Sequence, residues 1–226
     1  MTHSFFRSAG IALVCILCTL FVPSANGQIR SSLTTLSDGN GNPLMAKKAS
    51  AGDNAYLFSK DYQDGVLFLE GNTKGIGGSK FKLNLQTSRL YYMDGNGSEM
   101  EVASIIKRIE FEQAVFEKGF PAVDKLTPDH FYQVLSEGKA LLLMSTRFEE
   151  IEYKEFNSAS VVKRTDKLQT YYGVMGNRIS KLAKAEDVLL LLSDKTKQVS
   201  DFMKHENSKV KKQEDLEKIF HYYNSL

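Results

Sequence analysis

The chain of 226 residues contains no tryptophan, only four prolines and only two cysteines. Both cysteines, Cys15 and Cys18, lie in an apolar run near the amino terminus that we expect to be removed. The rest of the chain then has no thiol, which excludes disulfide bonds, cysteine-based catalysis and zinc–thiolate sites. We therefore expect its stability to come from the packing of apolar side chains.

An excess of charge of one sign is also missing, because 29 Lys and Arg residues face 27 Asp and Glu residues. A nucleic-acid binder would show a clustered basic excess, so we predict no nucleic-acid partner. With 42% hydrophobic and 25% charged residues, the composition is that of an ordinary globular protein.

The amino terminus has the three parts of an export signal. A short polar stretch contains one positive charge, Arg7, and an apolar run follows at residues 11–22 and ends at Pro23. Ala25-Asn26-Gly27 then places small residues where a signal peptidase cuts. The run is shorter than the roughly 20 residues of a membrane span. We predict a signal peptide over residues 1–27, export to the periplasm or the extracellular space, and no integral membrane insertion after cleavage.

The rest of the chain divides by its hydrophobic pattern. Residues 28–54 are rich in Ser, Thr, Gly and Asn and lack periodicity, which predicts a flexible leader. From about residue 55 a single α+β domain is predicted over 55–226, with strands in 55–182 and helices in 184–224.

Alternation of apolar and polar residues predicts the strands. Phe81–Gln86 alternates without a fault, and Asp94-Gly95-Asn96-Gly97 between Leu90–Met93 and Glu99–Val102 is a strong hairpin signal. Further strands are predicted at residues 65–71, 109–112, 130–135, 139–145, 147–155, 160–164, 168–175 and 178–182.

The pattern changes to a helical one near residue 185. Val188–Leu192 is apolar nearly all round, as in a buried helix, and the last element has an apolar stripe at Leu216, Ile219, Phe220 and Tyr223. Strands followed by helices predict an α+β fold. We expect a curved antiparallel sheet of about eight or more strands, followed by two or three C-terminal helices packed on it.

Two glycine-rich segments resemble ligand loops only in part. Gly71–Lys80 lacks the Lys-before-hydroxyl order of a phosphate loop, and a strand rather than a helix should follow it. Asp94–Glu99 begins like a calcium loop, but Glu99 and Ile105 stand where an EF-hand needs Gly and Glu. We interpret both segments as turns.

The ionisable residues form no local catalytic or metal motif. His130, His205 and His221 are isolated from one another, and we interpret them as partly exposed polar residues. Four carboxylates crowd one strand and could serve glycoside hydrolysis, although a solvated strand face explains them better. These four are Glu149, Glu150, Glu152 and Glu155. We assign no catalytic, cofactor-binding or metal-binding residue and expect no cofactor.

Tyrosines occur in three adjacent pairs, Tyr91-Tyr92, Tyr171-Tyr172 and Tyr222-Tyr223. On a strand, one member of a pair faces the core and the other faces out. An outward row of tyrosines could bind sugar, peptide or a partner protein, although core and cross-strand packing explains the pairs better.

Several segments resemble a family of uncharacterised exported proteins from Bacteroidetes-type bacteria. They are Tyr56-Leu57, Gly65–Leu69, Phe116–Asp124, Tyr132–Leu135, Leu189–Lys195 and Tyr222–Leu226. Ala55 and Tyr62 stand where members often carry Pro and Trp. The resemblance covers about residues 55–226 and implies an envelope protein of unknown activity, with no catalytic residues to transfer.

From these observations we expect an exported, non-enzymatic module that binds an unknown protein or small ligand in the cell envelope. Two alternatives stay open. One is a hydrolase with dispersed active-site residues, which would need a deep pocket that collects groups such as His130 or the Glu149–Glu155 cluster. The other is a structural or stress-related envelope component.

Overall fold

The computed structural model describes residues 36–37, 44–49, 56–154 and 161–226. The predicted signal peptide, residues 1–27, lies outside these ranges. All described residues belong to one compact unit.

Eleven described strands form one antiparallel sheet with the order β1-β5-β4-β3-β2-β6-β7-β8-β9-β10-β11. The strands are β1 (Ala46–Lys48), β2 (Gln63–Leu69), β3 (Ile76–Asn84), β4 (Arg89–Met93), β5 (Glu99–Val102), β6 (Ile106–Phe111), β7 (Val115–Glu117), β8 (Tyr132–Ser136), β9 (Ala140–Lys154), β10 (Val161–Met175) and β11 (Arg178–Lys181). The sheet is curved and open. Register shifts in β2 and β8 accompany the curvature, since bulges bend strands.

Three helical segments follow the sheet, which confirms the predicted α+β order. They are α1 (Ala185–Leu191), α2 (Thr196–His205) and α3 (Gln213–Asn224), with one 3-10 turn at Ser193–Lys195. The predicted stripe on α3 is buried in full. The prediction for α1 was too broad, because Leu190 is exposed while Val188 and Leu191 are buried.

The structure merges strands that the pattern had divided. Residues 139–145 and 147–155 were predicted as two strands but lie mainly in β9, and 160–164 and 168–175 lie mainly in β10. Polar residues such as Thr146 and Asp166 interrupt the apolar pattern, whereas the backbone ladder runs through them. The three-residue strand β7 was not predicted.

The predicted leader also needs a correction. Ala46–Lys48 falls within residues 28–54, yet it pairs with β5 as an edge strand. Leu36 and Leu44 are buried against the sheet. The other residues of this segment, 28–35, 38–43 and 50–54, lie outside the described ranges.

The described core has three apolar clusters. The largest is formed mainly by side chains of β2 to β7, around Leu67, Phe81 and Ile109. The second joins the helices to one face of β9 and β10. The third, around Tyr132, Leu143 and Tyr172, covers the opposite face. The far end of the β9–β10 hairpin lies beyond all three clusters.

None of the described helices is long and apolar enough to cross a bilayer.

Candidate functional site

A polar cavity of about 230 Å³ lies where the β3–β4 turn, the β7–β8 loop and β9 meet. We call it the His130 cavity. Its polar and charged lining includes Thr87, Lys125, Thr127, Asp129, His130 and Arg147. These residues come from three separate parts of the chain, so no local sequence motif predicts the cavity.

Ser88 joins the β7–β8 loop to the β3–β4 turn. Its hydroxyl accepts a hydrogen bond from the backbone N–H of Phe131 at 3.0 Å, and its carbonyl accepts one from Lys118 Nζ at 3.0 Å. Ser88 has a φ of 55°, an uncommon value for a residue other than glycine. These two bonds fix both ends of the loop that carries His130.

His130 lies in the loop just before β8, not on a strand, and it is buried. The prediction of a partly exposed residue was therefore wrong for His130, whereas His205 and His221 are exposed on α2 and α3. Burial, together with the nearby cations Arg147 and Lys118, lowers the pKa of His130 to about 4. The imidazole is thus neutral near pH 7.

Ser145 is the hydrogen-bond partner of His130. Its Oγ lies 2.8 Å from His130 Nε2, the spacing of a nucleophile and its base. However, Ser145 on β9 is only 1% exposed. No carboxylate among the described residues hydrogen-bonds to His130. The pair therefore serves to fix the loop to β9, and a buried hydroxyl of this kind has no access to a substrate.

Arg147 lies two residues beyond Ser145, on the same face of β9 because side chains alternate along a strand. It is half-buried and lines the cavity beside His130. Its guanidinium makes no hydrogen bond and no ion pair with any residue that the structure describes. A half-buried arginine whose five donors meet no acceptor in the described part of the chain is unusual.

A second cavity, of about 520 Å³, lies on the other side of Asp129. It is lined by Lys107 and Lys118, by apolar side chains such as Ile105, and by Gly71–Thr73. Burial lowers the pKa of Lys118, whose ammonium also lies 4.3 Å from the Phe131 ring centre. The glycine-rich segment Gly71–Lys80 thus borders a cavity, although β3 rather than a helix follows, as predicted.

The calcium-like segment is a tight turn, as predicted. Asp94 Oδ1 accepts hydrogen bonds from the backbone N–H groups of Asn96 at 2.9 Å and Ser98 at 2.8 Å. Gly97 has a φ of 75°, which only glycine adopts without strain. The Asp94 carboxylate is therefore used by the turn itself.

The crowded carboxylates do not converge on a cavity. Glu149, Glu150 and Glu152 are exposed on β9, and Glu155 lies outside the described ranges. Glu150 accepts a hydrogen bond from the Tyr56 hydroxyl at 3.0 Å, and Glu152 pairs with Lys163 on β10 at 3.2 Å. Among the described residues the arrangement is that of a solvated strand with one cross-strand ion pair.

The tyrosine pairs pack against other side chains, as the favoured interpretation of the sequence expected. Both members of Tyr91-Tyr92 are buried, and Tyr171 packs with the second cluster. Tyr222 stacks on Phe202 with ring centres 4.3 Å apart. Packing therefore accounts for the tyrosine pairs.

The far end of the β9–β10 hairpin carries exposed apolar side chains, unlike the packed tyrosine pairs. We call residues 149–154 and 161–168 the ribbon. Ile151 and Tyr153 are 40% and 41% exposed, and Leu168 is 37% exposed. All three side chains lie on one face of the hairpin. Ile151 and Tyr153 are two residues apart on β9, and Ile151 is paired with Arg164 on β10. Leu168 is four residues from Arg164 and so lies on the same face.

Among the described residues, no group of three His, Cys, Asp or Glu side chains could hold a metal ion. In comparisons with known proteins, no family model, no curated protein and no solved structure matches this chain. The resemblance to exported Bacteroidetes-type proteins stays a prediction.

Proposed function

We propose that the protein is an exported, non-enzymatic interaction module that acts in the periplasm or outside the cell. Its ribbon pairs with an extended, acidic segment of a protein partner. The observation that supports this is the free outer edge of β10, next to a face of exposed apolar side chains.

The edge is long and accessible. β11 pairs with β10 only over Tyr172–Met175, so residues 162–170 have no strand neighbour on that side among the described strands. Backbone N–H and C=O groups on such an edge are a template for another strand. Extended peptides bind sheet edges in this way, with main-chain bonds for affinity and side-chain contacts for specificity.

Charge favours an acidic partner segment. The free part of β10 carries Lys163, Arg164 and Lys167 against one carboxylate, Asp166. Arg164 pairs with Asp166 at 2.6 Å, and Lys163 pairs with Glu152, while Lys167 makes no ion pair with a described residue. A strand added beside β10 would lie next to these cations. Basic residues on that strand would be repelled, whereas acidic residues would be attracted.

The proposal of a non-enzymatic role is supported by the properties of the candidate catalytic groups, which are poorly suited to catalysis. His130 has a pKa of about 4 and is a weak base near neutral pH. Its partner Ser145 is shielded from solvent. Glu149, Glu150 and Glu152 of β9 are exposed, and none of them lines the His130 cavity.

The test is site-specific crosslinking of the full mature chain in envelope extracts. A photoreactive residue at Thr165 should give a crosslinked product, and sequencing of that product should identify an extended segment with acidic residues. Lys167→Glu should reduce the crosslinking at least tenfold through charge repulsion. Tyr153→Ala should reduce it several-fold through loss of apolar contact.

Lys197→Glu is the matched control, because Lys197 is an exposed lysine on α2, away from the ribbon. It should leave crosslinking unchanged. The proposal fails if no specific product forms at Thr165, if the crosslinked segment is helical or basic, or if Lys197→Glu and Lys167→Glu have equal effects.

A further inference from the structure

We infer that the His130 cavity binds the oxyanion group, carboxylate or phosphate, of a small ligand through the Arg147 guanidinium. Arg147 lies opposite Leu168 and so adjoins the ribbon, but the inference concerns the cavity beside β9 and does not depend on the proposed partner. The inference rests on a cation in a polar cavity that pairs with none of the residues the structure describes.

Arg147 is the central observation. Its guanidinium is half-buried and lies at the cavity wall without an acceptor among the described residues. Because the guanidinium lines the cavity and has no acceptor among the described residues, its donors are available to an acceptor that binds from outside. The planar fork of a guanidinium matches the two oxygens of a carboxylate or phosphate group.

The surroundings of Arg147 suit an anion. Lys125 adds a second cation, and Thr87 and Thr127 contribute hydroxyl groups to the lining. Lys118 is close enough to His130 to lower its pKa together with Arg147. Asp129 is the opposing carboxylate in the described lining, and it is exposed, as are Lys125 and the two threonines. Two lining cations, Arg147 and Lys125, against one lining carboxylate leave the described wall of the cavity net positive.

His130 adds a neutral hydrogen-bonding group. Its Nε2 is engaged with Ser145, while Nδ1 has no partner among the described residues. Since the ring is uncharged near pH 7, it can hydrogen-bond to a ligand without the desolvation cost of a second buried cation. An anion bound beside it would offset the fields of Arg147 and Lys118 and raise the pKa of the imidazole.

The size of the cavity limits the ligand. Its volume is about 230 Å³. A water molecule in the liquid occupies about 30 Å³, so the space equals that of roughly eight waters and suits a ligand of about that many non-hydrogen atoms. The ligand is therefore a small organic acid, a small phosphate ester or inorganic phosphate, rather than a polymer.

The test uses the full mature chain at constant ionic strength, with inorganic phosphate and acetate as probes against a chloride background. Isothermal titration calorimetry should show saturable binding of at least one probe, and the stronger probe separates the phosphate source from the carboxylate source. Nuclear magnetic resonance should show that the probe shifts the His130 ring signals but not those of His205 and His221, which lie on other elements.

Arg147→Gln should weaken binding at least tenfold. Arg147→Lys, which keeps the charge but loses the planar fork, should weaken it several-fold. Arg178→Gln is the matched control, because Arg178 is exposed on β11 and does not line the cavity. It should bind like the unmodified chain. Should Arg147→Gln not fold, Lys125→Gln replaces it, with an expected loss of two- to fivefold.

Three results would overturn the inference. The first is no saturable binding of either probe. The second is Arg147→Gln binding as tightly as the unmodified chain. The third is equal weakening by Arg178→Gln, which would mean that the anion responds to overall charge only.

Discussion

The two halves of the β9–β10 hairpin share one backbone ladder but lie in different surroundings. Each strand has 15 residues, and every residue of one is paired with a residue of the other. Over Ala140–Thr146 and Thr170–Met175 the strands are covered, by helices on one face and by the Tyr132 cluster on the other. Beyond them, most described side chains of the ribbon are exposed.

Comparing the two halves separates the contribution of backbone hydrogen bonds to stability from that of apolar burial, because both halves have the ladder but only the inner half is covered. A two-stranded ribbon in water is marginally stable at best, because its ladder replaces bonds to solvent with little net gain. The inner half adds the burial of large apolar side chains, at roughly 25 cal/mol for each Å². We therefore expect the inner half to determine stability and the ribbon to be available for binding.

The largest expected effect comes from the helix side of the inner half. Phe220 on α3 is 0% exposed. Phe220→Ala should lower the free energy of unfolding by about 3–5 kcal/mol through lost burial and a cavity. Tyr153→Ala, which removes an aromatic ring from the ribbon, should cost less than about 1 kcal/mol. Urea titration of both variants measures the contrast, and equal losses would refute it.

A somewhat smaller effect comes from pH at the junction of the two halves. His130 has a folded pKa of about 4, below its ordinary value of 6.5. Between pH 6.5 and about 4, His130 is protonated in the unfolded chain but stays neutral in the folded chain. The free energy of unfolding therefore falls as the pH decreases to about 4. The full loss is about 3 kcal/mol.

His130→Gln isolates this contribution, because glutamine has no proton to take up and its amide can replace Nε2 as partner of Ser145. The difference in unfolding free energy between the unmodified chain and this variant should shrink by up to about 3 kcal/mol between pH 7 and pH 4. A difference that does not change with pH would show that His130 titrates normally in the folded protein.

A third effect concerns the turn that begins the inner half. Asn224, at the end of α3, accepts a hydrogen bond from the N–H of Ala140 at 2.9 Å and donates to the carbonyls of Ala140 and Glu137. Asn224→Ala leaves buried backbone groups unpaired and should cost about 1–3 kcal/mol. Ser225→Ala, at the exposed neighbour, should change stability by less than about 0.5 kcal/mol. Thermal unfolding of the two variants compares them.

Much of the fold follows from local pattern. The Asp94–Gly97 hairpin was predicted because its residues tolerate the required backbone angles, and the α3 stripe because its spacing matches one helix face. The full length of β9 and β10 was missed because polar residues interrupt the alternation. Backbone pairing does not depend on that alternation, so the hydrophobic pattern alone predicts strand ends inside β9 and β10 where there are none.

The candidate site could not be predicted in the same way. Thr87, His130 and Arg147 meet only because the sheet curves and the β7–β8 loop is fixed to Ser88 and Ser145. An arginine is also ordinary in sequence. What distinguishes Arg147 is the lack of an acceptor among the described residues, and that is a property of the folded chain alone.

The smallest expected effect tests the ribbon directly. Ile151 and Leu143 are aliphatic residues of the same strand and the same face, but they are 40% and 0% exposed. Leu143→Ala should cost about 2–5 kcal/mol, whereas Ile151→Ala should change the free energy of unfolding by less than about 0.5 kcal/mol. Since both residues lie in the same ladder, burial is the variable that separates them. If Ile151→Ala cost as much as Leu143→Ala, the apolar face of the ribbon would already be covered in solution and could not be the surface that a partner meets.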